Sequence, residues 1–501
     1  MEPGVSFIIT RMKKSVALGL FFLCGSAYAS SILDIGTDYR LRAISISNAD
    51  YGLTSQNYPL YYSQRAEAHI GGRFSPNLEF MTQFQALGVA GSTGSVSNVT
   101  VDPSQGRYPS TNFSPWIQWA YLKASHLFDS SVDLTIGRQP ITLGDGLILS
   151  DDDLGFTGVR VNGILPWYDI RANVFTFKPG QNLSNTNGGI DIIGFELTKP
   201  VSNMRYQFSV VNEHDASGST VYIRPSENAS PNNPQFLALQ NTIASQPGVQ
   251  APSFNQMFNF TATDITRTFV DGRVEWRLEQ GGFLKAEAAL QTGSVSRDPS
   301  LGTSTAAALG FSPNVNLGGY AFLVSGGLFT HLSKYGPIEI HSSFGIASGD
   351  SGGGTDNSFH PDFGHQYDGL ERSGFGEFYG ATLYNAIPSS SYGASASSPS
   401  VSGLPQGVSG IRVISAGVTT HPTSLLSFGI DYYVYTAEES ANFAPAPSES
   451  SLGTELDIGA GFAYTNYLTF RATYAIFSPG KAYGAYETNA TRLALEAVGR
   501  F

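Results

Sequence analysis

From about residue 30 to its end, the chain is a succession of segments in which apolar and polar positions alternate. Residues 61–75 put Tyr62, Ala66, Ala68, Ile70 and Phe74 on one face and Arg65, Glu67, His69 and Arg73 on the other. Further on, Val270, Val274, Trp276 and Leu278 oppose Asp271, Arg273, Glu275 and Arg277. The next segment repeats the pattern, with Leu284, Ala286, Ala288 and Leu290 against Lys285, Glu287 and Gln291. A period of two with aromatic and β-branched residues on one face marks a half-buried strand. In a soluble sandwich the apolar face is the core. In a membrane barrel it meets lipid, and the charged face lines the lumen.

Connection lengths decide between the two. Strands are predicted at 32–47, 61–75, 77–90, 115–124, 130–139, 156–165, 167–178, 189–198 and 204–214. Nine more follow at 266–279, 281–293, 318–331, 336–348, 408–420, 423–436, 454–465, 467–477 and 489–501. Even-numbered strands lead into short turns such as Ser75-Pro76-Asn77, Gln280-Gly281 and His421-Pro422-Thr423. Odd-numbered strands lead into long connections: 91–114, 140–155, 215–265, 294–317 and 349–407. Short turns on one side and long loops on the other are the layout of an outer-membrane barrel, with both termini on the periplasmic side when the count is even. The expectation is all-β: one antiparallel transmembrane β-barrel of about 18 strands, occupying 30–501 as a single domain.

Both chain ends fit that expectation. Arg11, Lys13 and Lys14, the apolar run Val16–Leu23 and Ala27-Tyr28-Ala29 have the form of a secretory signal peptide, predicted to span 1–29 and to be removed. It holds Cys24, the chain's one cysteine; Leu23 before it does not suit lipidation. At the other end Thr491, Leu493, Leu495, Ala497, Gly499 and Phe501 share one face. A final strand of this kind ending in Phe resembles the signal by which barrel-assembly machinery recognises outer-membrane proteins. Trp167, Tyr168, Trp276, Tyr335, Tyr464 and Tyr467 gather near the turns, where interfacial aromatic girdles belong.

Composition sharpens the picture. Only 14% of the 501 residues are charged, low for a soluble enzyme of this length. The formal charge of −12 argues against nucleic acid as a partner, because phosphate binding needs a basic surface. Yet 20 of the 28 basic residues are Arg, and most lie in strands. Parity gives Arg42, Arg65, Glu67, Arg73, Arg160, Arg171, Arg273, Glu275, Arg277, Lys285 and Arg471 as lumen-lining candidates. Arg138 is a further candidate; it has lipid-face parity, so either a bulge near Pro140 turns it inward or it sits at the rim. Arginine grips carboxylates and phosphates with two prongs, which suits a path for anionic or polyhydroxylated solutes. Equally, these arginines can pair with acids on neighbouring strands and simply hold the barrel in shape.

Much of the excess acid lies in the connections, at Asp145, Asp151-Asp152-Asp153, Asp350, Asp356, Asp362, Asp368, Glu371 and Glu377. Their spacing matches no calcium loop and reads as solvated. No nucleophile elbow, phosphate loop or zinc signature occurs in a credible setting, so neither catalysis nor a cofactor is expected. Gating, with turns this short on one side, is assigned to 91–114 or 349–407.

The block 116–178 resembles the alginate-export family of bacterial outer-membrane barrels. It contains Gln118-Trp119-Ala120-Tyr121-Leu122, Gly137-Arg138-Gln139, Gly144-Asp145-Gly146 and Phe156-Thr157-Gly158-Val159-Arg160 in the family's order. Tyr39-Arg40-Leu41-Arg42 and Gln64-Arg65 also fit. Thr157 stands where the family has Asp. The resemblance implies a porin with an Arg-rich lumen that passes hydrophilic solutes, anionic or polysaccharide-like ones among them, from within lipid and lipopolysaccharide. The competing expectation, from the 59-residue connection 349–407, is a surface adhesin or receptor whose barrel is largely closed.

Overall fold

The computed structural model of the chain describes residues 32–48, 57–90, 113–166, 168–181, 188–218, 222, 224, 260–279, 281–299, 312–332, 336–365, 374–384, 404, 408–440, 449–483 and 488–501. The expected signal peptide, most of 91–114, Trp167, Tyr335, Asp368 and Glu371 lie outside these residues.

The alternating segments form strands β1 (Ile32–Ser47), β2 (Tyr58–Ser75), β3 (Leu78–Val89), β4 (Trp116–Ala124), β5 (Val132–Gln139), β6 (Phe156–Leu165) and β7 (Ile170–Gln181). They continue as β8 (Gly189–Val201), β9 (Met204–Asp215), β10 (Phe260–Arg277), β11 (Gly282–Pro299), β12 (Asn314–Leu317), β13 (Tyr320–Leu332) and β14 (Gly336–Ala347). The last six are β15 (Thr355–Asp356), β16 (Val408–Thr420), β17 (Leu426–Ser440), β18 (Ser451–Ala463), β19 (Leu468–Pro479) and β20 (Ala490–Arg500).

Eighteen of these close into one antiparallel barrel, each pairing with its neighbours in chain order. Closure falls where β1 pairs with both β2 and β20, Arg42 standing opposite Glu496. Thr37 and Phe501 exchange backbone hydrogen bonds of 2.8 Å in both directions, so pairing runs to the last residue. The two remaining strands are short: β12 pairs with the loop-side end of β11, and β15 runs parallel to β12. They were not expected from the sequence, nor was the extension of β10 and β11 to 18 residues each. The extension exists because Ala262, Ile265 and Val295 bury themselves against Val315 and Leu317, a small apolar cluster at the loop end of these strands.

The outward face explains the composition. Leu33, Ile35, Ile136, Val174, Ile193, Leu290, Ile340, Ile414, Ile430 and Leu495 are each 49–63% exposed and come from strands around the whole ring. A continuous apolar band of that size is untenable in water and is what a lipid bilayer covers. Tyr168, Tyr464 and Tyr467 stand exposed in the short turns, where an aromatic girdle meets the interface. No helix among the described residues is long and apolar enough to cross a membrane; the strands do so instead. The class of protein is thereby fixed as a bacterial outer-membrane β-barrel.

Candidate functional site

Among the described residues, two long connections turn into the barrel. Ile141, Leu143, Leu147, Ile148 and Leu149 are at most 5% exposed, packed on Phe175, Phe177, Ile192, Val211 and Phe269, which face inward from β7 to β10. Phe359, Leu383 and Tyr384 join the same cluster against Ala289, Ala321 and Ala347 of β11, β13 and β14. Phe378, Tyr379 and Ala381 fill a second cluster with Val413, Tyr435, Leu452, Ala475 and Phe477 of β16 to β19. Tyr379 stacks on Phe477 with ring centroids 4.9 Å apart. Burial of each such side chain contributes about 1.5–3 kcal/mol, so these segments are fixed parts of the lumen.

The two segments also bind each other. Ser150 N–H donates to Phe363 O at 2.7 Å and His365 N–H to Gly146 O at 2.8 Å. His365 Nδ1 lies 2.6 Å from Asp152 Oδ1. Together they make one plug. The expectation for gating named 349–407, which does supply half of the plug, but passed over 140–155. The signal was present: Ile141, Leu143 and Leu147-Ile148-Leu149 are an apolar run where a solvated loop is polar.

Several carboxylates of the acidic connections are therefore not solvated, and they do specific work. Asp145 donates its backbone N–H to Glu287 on β11 at 2.6 Å and accepts from Arg273 on β10 at 2.9 Å. Asp362 donates its N–H to Glu213 on β9 at 3.3 Å, and its carboxylate takes Arg267 on β10. Glu377 donates its N–H to Asp457 on β18 at 2.8 Å and accepts from Arg492 on β20 at 3.0 Å. Three times, then, an acidic plug residue gives its N–H to a wall carboxylate and its own carboxylate to a wall arginine. Beside the third clamp, Glu455 accepts the N–H groups of Phe378 and Tyr379. Each clamp satisfies charges that would otherwise be costly to bury.

Glycine makes two of these approaches possible. Gly144 (φ +58°) and Gly376 (φ +83°) occupy the left-handed region, and a Cβ on either would run into Glu287 or into Tyr435 and Glu455. Gly144→Val and Gly376→Val are each expected to loosen their half of the plug. Single-channel recording should show larger and noisier current steps for both variants; steps identical to wild type would mean the clamps do not hold the plug.

Asp151 has a different character. It is 7% exposed and accepts the Gly155 N–H at 3.0 Å, while burial and the nearby Asp153 raise its pKa to about 6. A raised carboxyl pKa means that the fold favours the protonated acid. Its stabilising contribution is complete below about pH 4 and is lost as pH rises through 6. Asp151→Asn is expected to restore on the order of 2 kcal/mol of local stability at neutral pH. Hydrogen exchange of the 150–155 amides checks it: protection should fall between pH 4 and 6 in the wild type and stay level in the variant.

Between the plug and the short-turn mouth, on β1, β2, β19 and β20, lies a basic basin. One cavity of about 310 Å³ is lined by Arg40, Arg42, Arg65, Arg471, Arg492 and Arg500 against only Asp38, Glu377 and Glu496. A second, of about 570 Å³, shares Gly374, Glu377, Arg471, Thr473 and Glu496 with it and continues along β16 to β18. Part of the basin serves to hold the barrel: Arg42 Nε is 2.6 Å from Glu496 on the neighbouring strand, and Arg500 Nε is 3.1 Å from Asp38. Arg65 lies 3.6 Å from both Glu67 and the plug's Asp153. Arg471 is 60% exposed.

The other candidates are dispersed. Arg273 and Glu275 pair at 3.4 Å on the opposite wall, with Lys285 4.0 Å from Asp145. Arg277 is 81% exposed beside Glu275, and Arg73 lies 3.8 Å from Glu79. Arg171 is exposed just after its short turn, and Arg160 donates to Pro140 O at 3.2 Å. Arg138 lines neither cavity. Its Nε donates to Gln118 O at 3.0 Å and its Nη2 to Leu154 O at 2.6 Å, at the loop end of β5. The irregularity that frees Gln118 O is a bulge in β4, where pairing with β3 skips Gln118, and not one near Pro140. Residues absent from the sequence-derived set include Arg500 in the basin and Arg267, Glu213 and Glu455 around the plug. Parity alone reaches the last three, which share faces with Arg273, Val211 and Asp457. Among the described residues, no three His, Cys, Asp or Glu gather as a metal would need.

The chain matches no family model and no curated protein. It is similar to solved structures at low identity. Against Pseudomonas aeruginosa OpdK with vanillate, identity is 11%, with 93% of this chain and 98% of that one covered and a TM-score of 0.48. Acinetobacter baumannii OccAB1 gives 10% identity, 94% and 97% coverage and a TM-score of 0.48. Pseudomonas aeruginosa OccK11 (OpdR) gives 9%, 94%, 96% and 0.47.

Proposed function

We propose that the protein is a passive outer-membrane channel for small hydrophilic solutes, with preference for anions. The observation that carries this is the smaller cavity of the basin, where six arginines face three acids beneath a plug that narrows the lumen. An excess of fixed positive charge in a confined aqueous path raises the local concentration of anions. Arg42, Arg65 and Arg471 belong to that path in this proposal, and Arg273 and Lys285 to its opposite wall. Cavities of about 310 and 570 Å³ are the size of small-molecule sites, which favours compact solutes over a polymer. The motif-level likeness to alginate exporters supports the anionic preference, and polysaccharide passage remains its extension. We further assign Phe501 a part in recognition by the barrel-assembly machinery.

Liposome swelling tests the size assignment. Vesicles carrying the purified barrel should admit small carboxylates and monosaccharides and exclude uronate oligomers of several units. Equal entry of small and oligomeric solutes would show that the plug does not limit passage.

A further inference from the structure

Glu377 stands out within the basin because it is a plug residue among wall arginines. Its backbone is held rigidly: the N–H of Glu377 goes to Asp457, those of Phe378 and Tyr379 to Glu455, and both rings stack on Phe477. Only its side chain reaches into the open space, where it lines both cavities. There Oε2 lies 3.0 Å from Arg492 Nη1, Oε1 lies 3.5 Å from Arg471 Nη2, and Thr473 Oγ1 donates at 3.3 Å. The carboxylate thus bridges two arginines as a solute carboxylate would. It is the one charged residue that the infolded segments contribute to the smaller cavity among the described residues.

We propose that Glu377 is a built-in competitor for the solute and so sets the channel's specificity for compact oxyanions. This rests on the anion preference proposed above. A carboxylate or phosphate of the solute takes Arg471 and Arg492 while the Glu377 side chain swings aside. The backbone stays clamped, so exchange needs rotation about side-chain bonds only and no opening of the plug. One anion replaces another, so the arginines are never left without a counter-charge. Binding is weakened to the extent that Glu377 must be displaced, and weak binding is what lets a solute leave as well as enter.

The test is block of chloride current by added benzoate, measured on single channels of the wild type, Glu377→Gln and Glu377→Asp. A neutral amide competes less well than a carboxylate, so Glu377→Gln should lower the half-blocking benzoate concentration about tenfold, the value of one charge-assisted hydrogen bond. Glu377→Asp keeps the charge but loses a methylene and bridges the two arginines poorly. A competitor gives Glu377→Asp a shift toward that of Glu377→Gln, whereas a mere field effect leaves it like the wild type. Block unchanged in Glu377→Gln, or changed in Gln but not in Asp, overturns the competitor role while leaving anion selectivity standing. A wild type that prefers cations and is not blocked by benzoate overturns the anion preference and the competitor together. Inorganic phosphate in place of benzoate shows which oxyanion the bridge accepts better.

Discussion

Replacing residues 349–407 with a short Gly/Ser linker is expected to raise single-channel conductance roughly threefold or more, since an 18-stranded barrel is wide enough for an aqueous channel once half of its plug is gone. The barrel itself should survive. Strands β14 and β16 pair directly from Ile338 opposite Thr420 to Ala347 opposite Ile411, with no help from the connection between them. Removal takes out Phe359, Phe378, Tyr379, Leu383 and Tyr384, and with them two of the three clamps. The inward aromatic wall at Tyr435 and Phe477 becomes wet, a cost borne by the loop-side half of the strands. The 140–155 segment keeps its hold on Glu287 and Arg273 but loses its bonds to Phe363 and His365. A surface receptor with an occluded barrel, the alternative that the plug itself favours, behaves differently: it passes no current before or after excision and loses ligand binding.

The second large effect is electrostatic. Arg65→Ala with Arg471→Ala removes two of the six cations from the basin while leaving the Arg42–Glu496 closure pair intact. In water, a unit charge about 6 Å from a permeating ion is worth about 0.7 kcal/mol, with opposite sign for anion and cation, and about 0.1 M salt roughly halves it, so the double variant should lose anion-over-cation selectivity by roughly tenfold. Raising the salt concentration should shrink the difference between variant and wild type, because screening removes the same term. The matched control is Arg73→Ala with Arg277→Ala, the two exposed arginines beside Glu79 and Glu275 that line neither cavity. Their loss should move selectivity much less.

The barrel was legible in the sequence because it is written locally. Period two fixes which residues face lipid, and turn residues fix where strands end: β16 runs over 408–420 as the alternation implies. Lumen charges at Arg42, Arg65 and Arg471 follow from the same parity. The plug was not legible in that way. Whether 140–155 turns inward depends on contacts with β7 to β11, and only the apolar run at Ile148 and Leu149 betrays it. Parity also misassigns what an inward charge does. Asp457 and Glu287 have inward parity, yet both accept backbone N–H groups of the plug. Glu377 counted as one more loop acid until the fold set it between Arg471 and Arg492. The sequence pattern also left open whether the arginines pair across strands or await a solute. The structure shows pairing across strands, as between Arg42 and Glu496, and adds pairing to the plug, as between Arg492 and Glu377.

The most direct test of a channel with an anion-preferring basin is the reversal potential of the wild-type protein in a planar bilayer under a potassium chloride gradient. Discrete current steps with a zero-current voltage displaced toward the chloride equilibrium potential are the expected result. Steps with displacement toward the potassium potential would contradict the anion preference, and a bilayer that stays silent with correctly folded protein would contradict the channel itself.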